Sequence, residues 1–161
     1  MQRSDLRADL GLVLRPLSAA DAGRYHRVVQ ANRAHLTQFG NYEEEVAGTE
    51  RDFAEGFATP GHRYGIWRGG ELIGRIDLVA VDPPRYGFGF WLAAHATGCG
   101  YATAAGAALL AHARDELGAS DVYAGVTHGN DRSVAVLRRL GFQPIVDFDD
   151  YTRFHRPLAG V

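Results

Sequence analysis

The glycine-rich segment Thr97–Thr103 has residue types that can hold an anion. It reads Thr-Gly-Cys-Gly-Tyr-Ala-Thr and lies between an apolar stretch, Phe88–Leu92, and an alanine-rich stretch that predicts a helix over Gly100–Leu117. Small residues let the main chain approach a ligand closely, and the first turn of a helix presents unpaired N–H groups at the positive end of its dipole. The segment therefore predicts a main-chain cradle for phosphate, with a tight strand-to-helix turn as the other interpretation.

Three segments in this order resemble the signature of the GNAT N-acetyltransferases, and in particular of their RimJ/RimL-like branch. The pattern of that branch runs Y-W-L, then G-x-G-Y-A-T-E-A, then N-x-x-S-x-x-x-L-x-x-x-G-F. This chain has Phe90–Leu92, Gly98–Ala105 and Asn130–Phe142 at the corresponding places. The resemblance extends from about Leu12 to Phe154, and it implies acetyl-CoA as cosubstrate and a primary amine as acetyl acceptor.

The resemblance also implies that the cofactor is held mainly by main chain. The N–H groups of the glycine loop bind the pyrophosphate, the preceding strand binds the pantetheine arm as it would bind another strand, and Asn130 reaches the cofactor beside that arm. The chain departs from the pattern at Thr97, where glutamine or arginine is frequent, and at Ala104, where glutamate is usual, so those side-chain contacts are absent. The implied cofactor-binding residues are Trp91, Leu92, Ala93, Thr97, Gly98, Cys99, Gly100, Tyr101, Ala102, Thr103, Asn130 and Ser133.

The catalytic groups are less well marked. Ser133 matches the serine that is proposed to protonate the departing thiolate in RimL-like enzymes. In the alternative interpretation, Asn130 or Asp131 caps the helix and Ser133 is an ordinary first-turn residue. The glutamate that RimL-like sequences carry before the strand is replaced by Gly87. Substitutes of suitable chemistry are Tyr86, His128, whose ordinary pKa suits proton transfer near neutral pH, and Asp77. A water relay with no single base is the alternative.

The acceptor site of this family is shaped by the first two helices and by the final hairpin. The corresponding segments here are Asn32–Leu36, which resembles the N-R-x-x-L of RimJ/RimL-like enzymes, the acidic Tyr42–Glu45, and Asp147–Tyr151. Carboxylates at these places suit a cationic acceptor, either a peptide N-terminus or a small-molecule amine. Solvated acidic turns are the other interpretation.

Several functions are consistent with these residues. The leading one is direct attack of an amine on the thioester in a ternary complex, and an acyl intermediate on Cys99 is less favoured because the thiol lies in the phosphate loop. An acyl-CoA-binding sensor or partner module without catalysis is the alternative from another class. A nucleotide-binding domain is disfavoured, since the loop lacks both G-x-x-x-x-G-K-[ST] and a third glycine at the spacing of the dinucleotide fingerprint.

Length and composition restrict the remaining possibilities. The 161 residues suit one domain, 1–161 with a core of about 12–154. The formal charge of −2 argues against a nucleic-acid partner, and we expect no membrane association, a cytoplasmic location and a monomer or homodimer. The single cysteine excludes an internal disulfide, and the seven histidines lack metal-ligand spacing, so no metal is expected.

Hydrophobic periodicity and turn residues predict an α/β protein with a mixed, mostly antiparallel central sheet and helices on both faces, which the resemblance specifies as the GNAT fold. Ser18 with Asp21, and Thr49 with Asp52, are predicted capping pairs, and Gly69-Gly70 predicts a hairpin. The predicted strands are Leu12–Leu17, Arg63–Trp67, Glu71–Val79, Tyr86–Leu92, Asp121–Thr127, Phe142–Val146 and Tyr151–His155. The predicted helices are Asp21–Phe39, Thr49–Phe57, Gly100–Leu117 and Ser133–Leu140, the last two ended by Gly118 and Gly141.

Overall fold

The computed structural model describes residues 4–158, and its strands form one eight-stranded sheet within that range. The strands are β1 (Leu6–Arg7), β2 (Leu12–Pro16), β3 (His62–Arg68), β4 (Glu71–Asp82), β5 (Arg85–Leu92), β6 (Asp121–Thr127), β7 (Gln143–Asp147) and β8 (Tyr151–Pro157). Their order in the sheet is β1-β2-β3-β4-β5-β6-β8-β7. Every neighbouring pair is antiparallel except β5 and β6, which confirms the predicted mixed, mostly antiparallel sheet.

Helices cover both faces of the sheet, as predicted. They are α1 (Ala22–Ala31), α2 (Arg33–Thr37), α3 (Glu43–Ala47), α4 (Glu50–Ala58), α5 (Tyr101–Asp115) and α6 (Asp131–Arg139). Apolar residues of α5 and α6 pack with one sheet face in a large core cluster that contains Leu109, Leu137 and Phe154. Helices α1 to α4 form a second cluster on the other face, around Tyr25 and Trp91.

The local signals in the sequence explain how several elements begin and end. Both capping pairs form reciprocal capping boxes, and the amide of Thr49 donates to Asp52 at 2.9 Å. The turn at Gly69-Gly70 joins the antiparallel strands β3 and β4. Helix α6 ends with a hydrogen bond from the amide of Phe142 to the carbonyl of Leu137 at 2.9 Å, the bond of a glycine-terminated helix.

Several elements differ from the sequence predictions in extent or in kind. The helix predicted over Asp21–Phe39 is two helices, because Asn32 leaves the helical conformation at φ −119° and ψ 20°. The acidic segment that follows is not only a turn, since Glu43–Ala47 forms a helix. Strand β1 has no signal in the sequence, because with two residues it is too short to show periodicity. Helix α5 is shorter than predicted and covers Tyr101–Asp115.

The two parallel strands separate partway along their length. Pairing between β5 and β6 covers only Arg85–Gly87 and Asp121–Tyr123. Beyond Gly87 the strands diverge, so that one edge of β5 from Phe88 onward has no strand partner on that side among the described residues. This opening, which we call the gap, exposes main-chain donors and acceptors in the middle of the sheet.

Candidate active site

A cavity of about 620 Å³ lies between the glycine loop, the N-terminal ends of α5 and α6, and the segment after α2. We call it the helix-end cavity. Its wall contains most of the predicted loop residues together with Asn130 and Ser133. Three groups of residues line it: Phe90–Leu92, Thr97, Gly98 and Gly100–Thr103 from β5 and the loop; Gly129–Ser133, Ala135, Val136 and Arg139 from α6 and the turn before it; and His35, Leu36, Gln38, Phe39, Asn41 and Tyr42 from α2 and the segment after it.

The loop has the main-chain geometry of an anion site. Gly98 and Gly100 have φ of +77° and +82°, values that side chains strongly disfavour. The first α5 bond joins the amide of Ala104 to the carbonyl of Gly100 at 3.0 Å, so the preceding N–H groups have no partner within the helix. The Thr103 hydroxyl is also buried without a hydrogen-bond partner in the described chain. These donors share the cavity with the exposed side chains of two arginines, Arg132 and Arg139.

Cys99 is the loop residue whose place differs from the others. Its side chain is exposed, and its thiol donates to the carbonyl of Thr97 over 3.6 Å. It does not contribute to the wall of the helix-end cavity. The thiol therefore points away from the space where a ligand would lie.

The hydrogen-bond register of β5 decides which main-chain groups face the gap. The amide of Ala93 donates to the carbonyl of Ile73 on the β4 side at 2.8 Å. Residues alternate in direction along an antiparallel pair, so Trp91 points its main-chain groups to β4, and Leu92 and Phe90 point theirs into the gap. Of the three predicted strand residues, Leu92 thus faces the gap, whereas Trp91 and Ala93 face β4. Phe90, which the sequence reasoning did not name, faces the gap as well.

A second cavity, of about 470 Å³, adjoins the first at Asn41, Tyr42, Phe90 and Trp91. We call it the acidic cavity. Its wall also contains four carboxylates and one guanidinium: Glu43, Glu44, Glu45, Asp77 and Arg75. The excess of negative charge favours a cationic occupant.

Glu45 fixes α3 to the sheet. One oxygen, Oε2, accepts hydrogen bonds from the hydroxyl of Tyr25 at 2.6 Å, the indole Nε1 of Trp91 at 3.0 Å and the guanidinium of Arg75 at 3.3 Å. Tyr25 and Trp91 are 0% and 4% exposed, so both donors depend on this partner. Tyr42, just before α3, donates from its hydroxyl to the carbonyl of Phe90 at 2.5 Å.

Asp77 lies in the same wall and is largely buried. Its Oδ2 accepts a hydrogen bond from the Arg75 guanidinium at 2.9 Å. Burial raises the pKa of the Asp77 carboxyl, and the charge of Arg75 opposes that rise only in part. Asp77 is directly opposite Gly89 across β4 and β5, where a Cβ atom would lie 3.1 Å from Oδ1. The glycine therefore leaves the second carboxylate oxygen uncovered.

A small cavity of about 40 Å³ fills the gap and connects the other two. It shares Gly89 with the acidic cavity, and Asn130 and Ser133 with the helix-end cavity. Asn41 lies in the walls of all three cavities, and its buried Oδ1 has no hydrogen-bond donor within residues 4–158. A ligand in each of the larger cavities would meet the other at the gap.

The start of α6 combines a structural and a ligand-facing role. The Oδ1 atom of Asn130 accepts from the amide of Ser133 at 3.3 Å, as a helix cap does. The Nδ2 group of Asn130 remains as a donor to the cavity. The Ser133 hydroxyl makes no hydrogen bond to any described residue and faces the two cavities that Ser133 lines.

The other predicted candidates lie elsewhere. Tyr86 is 8% exposed in the large core cluster, with its ring 6.0 Å from His62, and it lines none of the three cavities. His128 is half exposed and its Nε2 lies 3.2 Å from Oδ1 of Asp147. The segment Asp147–Tyr151 is likewise absent from these walls.

Asn32–Leu36 has a mainly structural arrangement. The Oδ1 of Asn32 accepts from the amide of Ala94 at 2.9 Å, and Arg33 donates to the carbonyl of Val46 at 2.8 Å. These bonds attach α2 to the loop after β5 and to α3. His35 and Leu36 are the members of the segment that reach the helix-end cavity.

Metal-binding clusters and membrane-spanning helices are both absent from the described residues. Residues 4–158 contain no group of three or more histidine, cysteine or acidic side chains arranged to hold a metal ion. Across the same residues, no helix is long and apolar enough to cross a membrane.

A helix N-terminus with unpaired N–H groups, an open strand edge and an acidic cavity thus adjoin one another. The family model of the acetyltransferase (GNAT) domain matches residues 11–143, and the chain therefore belongs to the GNAT acetyltransferase family. This membership supports acyl-CoA-dependent N-acetylation as its class of reaction.

Solved structures of RimJ and RimL share the fold. RimJ from Mycobacterium smegmatis in complex with a coenzyme A disulfide is 23% identical, with 96% of this chain and 86% of that chain covered and a TM-score of 0.74. RimL, a ribosomal α-N-protein acetyltransferase in complex with coenzyme A, is 17% identical, with 96% and 98% covered and a TM-score of 0.84. A ribosomal-protein alanine acetyltransferase from Vibrio fischeri is 14% identical, with 98% of each chain covered and a TM-score of 0.84. No curated protein sequence matches the chain.

Proposed function

We propose that this protein is an acetyl-CoA-dependent N-acetyltransferase that acetylates a primary amine, a peptide N-terminus or a small-molecule amine, by direct attack in a ternary complex. The observation that carries the proposal is the meeting of two cavities of different chemistry at the gap between β5 and β6. One has main-chain donors for a phosphate and the other has carboxylates for an ammonium. The cosubstrate and the acceptor can therefore be bound at the same time.

The helix-end cavity suits coenzyme A residue by residue. The N–H groups from Gly98 to Thr103 would bind the pyrophosphate, and Arg132 and Arg139 supply positive charge in the same wall. The main-chain groups of Leu92 and the N–H of Phe90, together with Nδ2 of Asn130, would bind the amides of the pantetheine arm, while the carbonyl of Phe90 accepts from Tyr42. The structures of RimJ and RimL with bound coenzyme A support this ligand.

The acidic cavity suits the acceptor. An amine arrives mainly as an ammonium ion at neutral pH, and the carboxylates of the wall attract that charge. The unpaired Oδ1 of Asn41 offers one more acceptor at the junction of the cavities. The wall thus selects a cationic amine and directs it toward the gap.

Ser133 is the proposed donor of a proton to the departing thiolate. Its hydroxyl is free of intramolecular hydrogen bonds to the described residues and faces the gap from α6. Cys99 is outside the cavity wall, which supports direct attack over an acyl intermediate on the thiol. In the direct reaction the amine nitrogen bonds to the thioester carbon and the carbon–sulfur bond breaks.

The test is release of free thiol from acetyl-CoA in the presence of short peptides with varied N-termini, polyamines and aminated antibiotics. Calorimetry with acetyl-CoA runs alongside. Amine-dependent thiol release, with a product heavier by one acetyl group, is the expected result. Tight acetyl-CoA binding without turnover across the panel would instead favour an acyl-CoA-binding module, and absence of binding would refute the assignment of the helix-end cavity.

A further inference from the structure

We propose that the carboxylate of Asp77 is the base that accepts a proton from the acceptor's ammonium group, a role that rests on the proposed function. The family's usual glutamate is replaced by Gly87. The structure offers a carboxylate from the neighbouring strand instead, at the end of the acidic cavity that touches the gap.

The position of Asp77 meets the geometric needs of such a base. Its side chain is 18% exposed, and that exposed part faces the acidic cavity. Gly89, directly opposite, belongs to the walls of both the acidic cavity and the gap. An amine at the junction beside Gly89 therefore lies next to the uncovered Oδ1 of Asp77. The other oxygen is held by Arg75, which fixes the orientation of the carboxylate.

Three charged side chains act on Asp77: Arg75 on the same strand and Arg63 on β3 are positive, and Glu45 on α3 is negative. Tyr42, Glu43 and Glu44 line the same cavity. Burial is the largest influence and raises the carboxyl pKa, so Asp77 is a stronger base than an exposed aspartate. Neither Tyr86 in the core nor His128 beside Asp147 faces this space. Among the four carboxylates of the acidic cavity, Asp77 is the one directly opposite Gly89, which also lines the gap.

The proton balance of the reaction is complete with these groups. One ammonium proton passes to Oδ1 of Asp77, and the freed lone pair forms the bond to the thioester carbon. The carbon–sulfur bond then breaks, and the electron pair leaves with the sulfur. A second proton from the nitrogen reaches the sulfur through the Ser133 hydroxyl, and Asp77 later returns its proton to solvent.

The main test uses Asp77→Asn, which keeps the shape and the oxygen bound to Arg75 but removes the base. The acceptor is the amine of the panel with the highest turnover in the wild-type protein. We expect kcat to fall by about 10²–10⁴-fold, the usual contribution of general acid–base catalysis, with acetyl-CoA binding by calorimetry and thermal unfolding close to wild type. If the wild type is active and the kcat of Asp77→Asn lies within roughly 3-fold of the wild-type value, the role of Asp77 is overturned, because a general base contributes far more than that. A wild type that is silent across the panel would refute the proposed function itself.

A second pair of variants tests access without changing any charge. In Gly89→Ala the new methyl group would cover Oδ1, since its Cβ would lie 3.1 Å away. The matched control is Gly87→Ala, on the same strand and the same face, where the new Cβ would meet only Val79 and Val81 at 3.8 Å. We expect Gly89→Ala to lose at least about 10-fold in kcat/KM and Gly87→Ala to remain near wild type. Equal activities would contradict the proposal.

The pH profile separates a base from a merely structural residue. In the wild type, kcat/KM should fall on the acid side as Asp77 takes up a proton, at a pH that does not move between two acceptors of different amine pKa. In Asp77→Asn, the acid side should instead follow the pKa of each amine, because only the unprotonated amine then reacts. A variant whose profile keeps the wild-type acid side would overturn the role.

Discussion

Replacement of Glu45 by alanine tests the arrangement that forms the acidic cavity. The change removes the acceptor of three hydrogen bonds and leaves two buried donors, the hydroxyl of Tyr25 and the indole N–H of Trp91, without an acceptor, although Arg75 still donates to the Tyr25 oxygen at 3.1 Å. A buried unsatisfied donor costs about 1–3 kcal/mol. Two such donors give about 2–6 kcal/mol, and because the adjoining cavity admits water we expect the lower half of that range, about 3 kcal/mol. Arg75 retains Asp77 as a partner and adds little.

The measurement is the free energy of unfolding from urea denaturation at neutral pH. Glu45→Gln retains an acceptor oxygen and should lose about 1 kcal/mol, and Glu44→Ala, an exposed change on the same helix, should stay within about 0.5 kcal/mol. We therefore expect the loss in the free energy of unfolding to be largest for Glu45→Ala, intermediate for Glu45→Gln and smallest for Glu44→Ala. If Glu45→Ala unfolded within about 0.5 kcal/mol of the wild type, the attachment of α3 through Glu45 would be refuted.

Three further predictions concern the candidate site and the hydrogen bond between His155 and Asp121. Ser133→Ala should lower kcat by roughly 10²-fold while acetyl-CoA affinity measured by calorimetry is retained; an unchanged kcat would remove the proton-donor role. Cys99→Ala should keep wild-type thiol release, and lost turnover with intact cofactor binding would instead indicate an acyl intermediate. A hydrogen bond from His155 lowers the pKa of Asp121, so this carboxylate stabilises the fold above its unfolded pKa and loses that effect as pH falls through the lowered value. Asp121→Asn should accordingly flatten the acid-side loss of stability in urea unfolding, and identical pH profiles would contradict this.

The conformation of the glycine loop was predictable because its signal is local. Gly98 and Gly100 are required by their own main-chain conformations, and the helix that follows is visible in the sequence. The capping pairs and the hairpin at Gly69-Gly70 are local in the same sense. Each depends on residues within a few positions of one another, so no knowledge of the tertiary structure was needed.

The acidic cavity was only partly predictable, since it depends on contacts between distant segments. Glu45 reaches Arg75 and Trp91 only when α3 packs on the sheet, and the acidic run in the sequence carries no sign of that packing. The direction of the Phe90 main chain toward the gap depends on the register between β4 and β5. One signal was available, however: Tyr86, Phe88 and Phe90 alternate along a strand, which is typical of residues that share one face, so the core position of Tyr86 could have been inferred.

A crystal structure of the protein with coenzyme A would show whether the two cavities meet at the reacting atoms. We expect the pyrophosphate at the N–H groups between Gly98 and Thr103, the pantetheine arm along Leu92 and Phe90, and the thiol at the gap beside Ser133. Coenzyme A bound elsewhere, or with its thiol directed away from the acidic cavity, would contradict the proposed site.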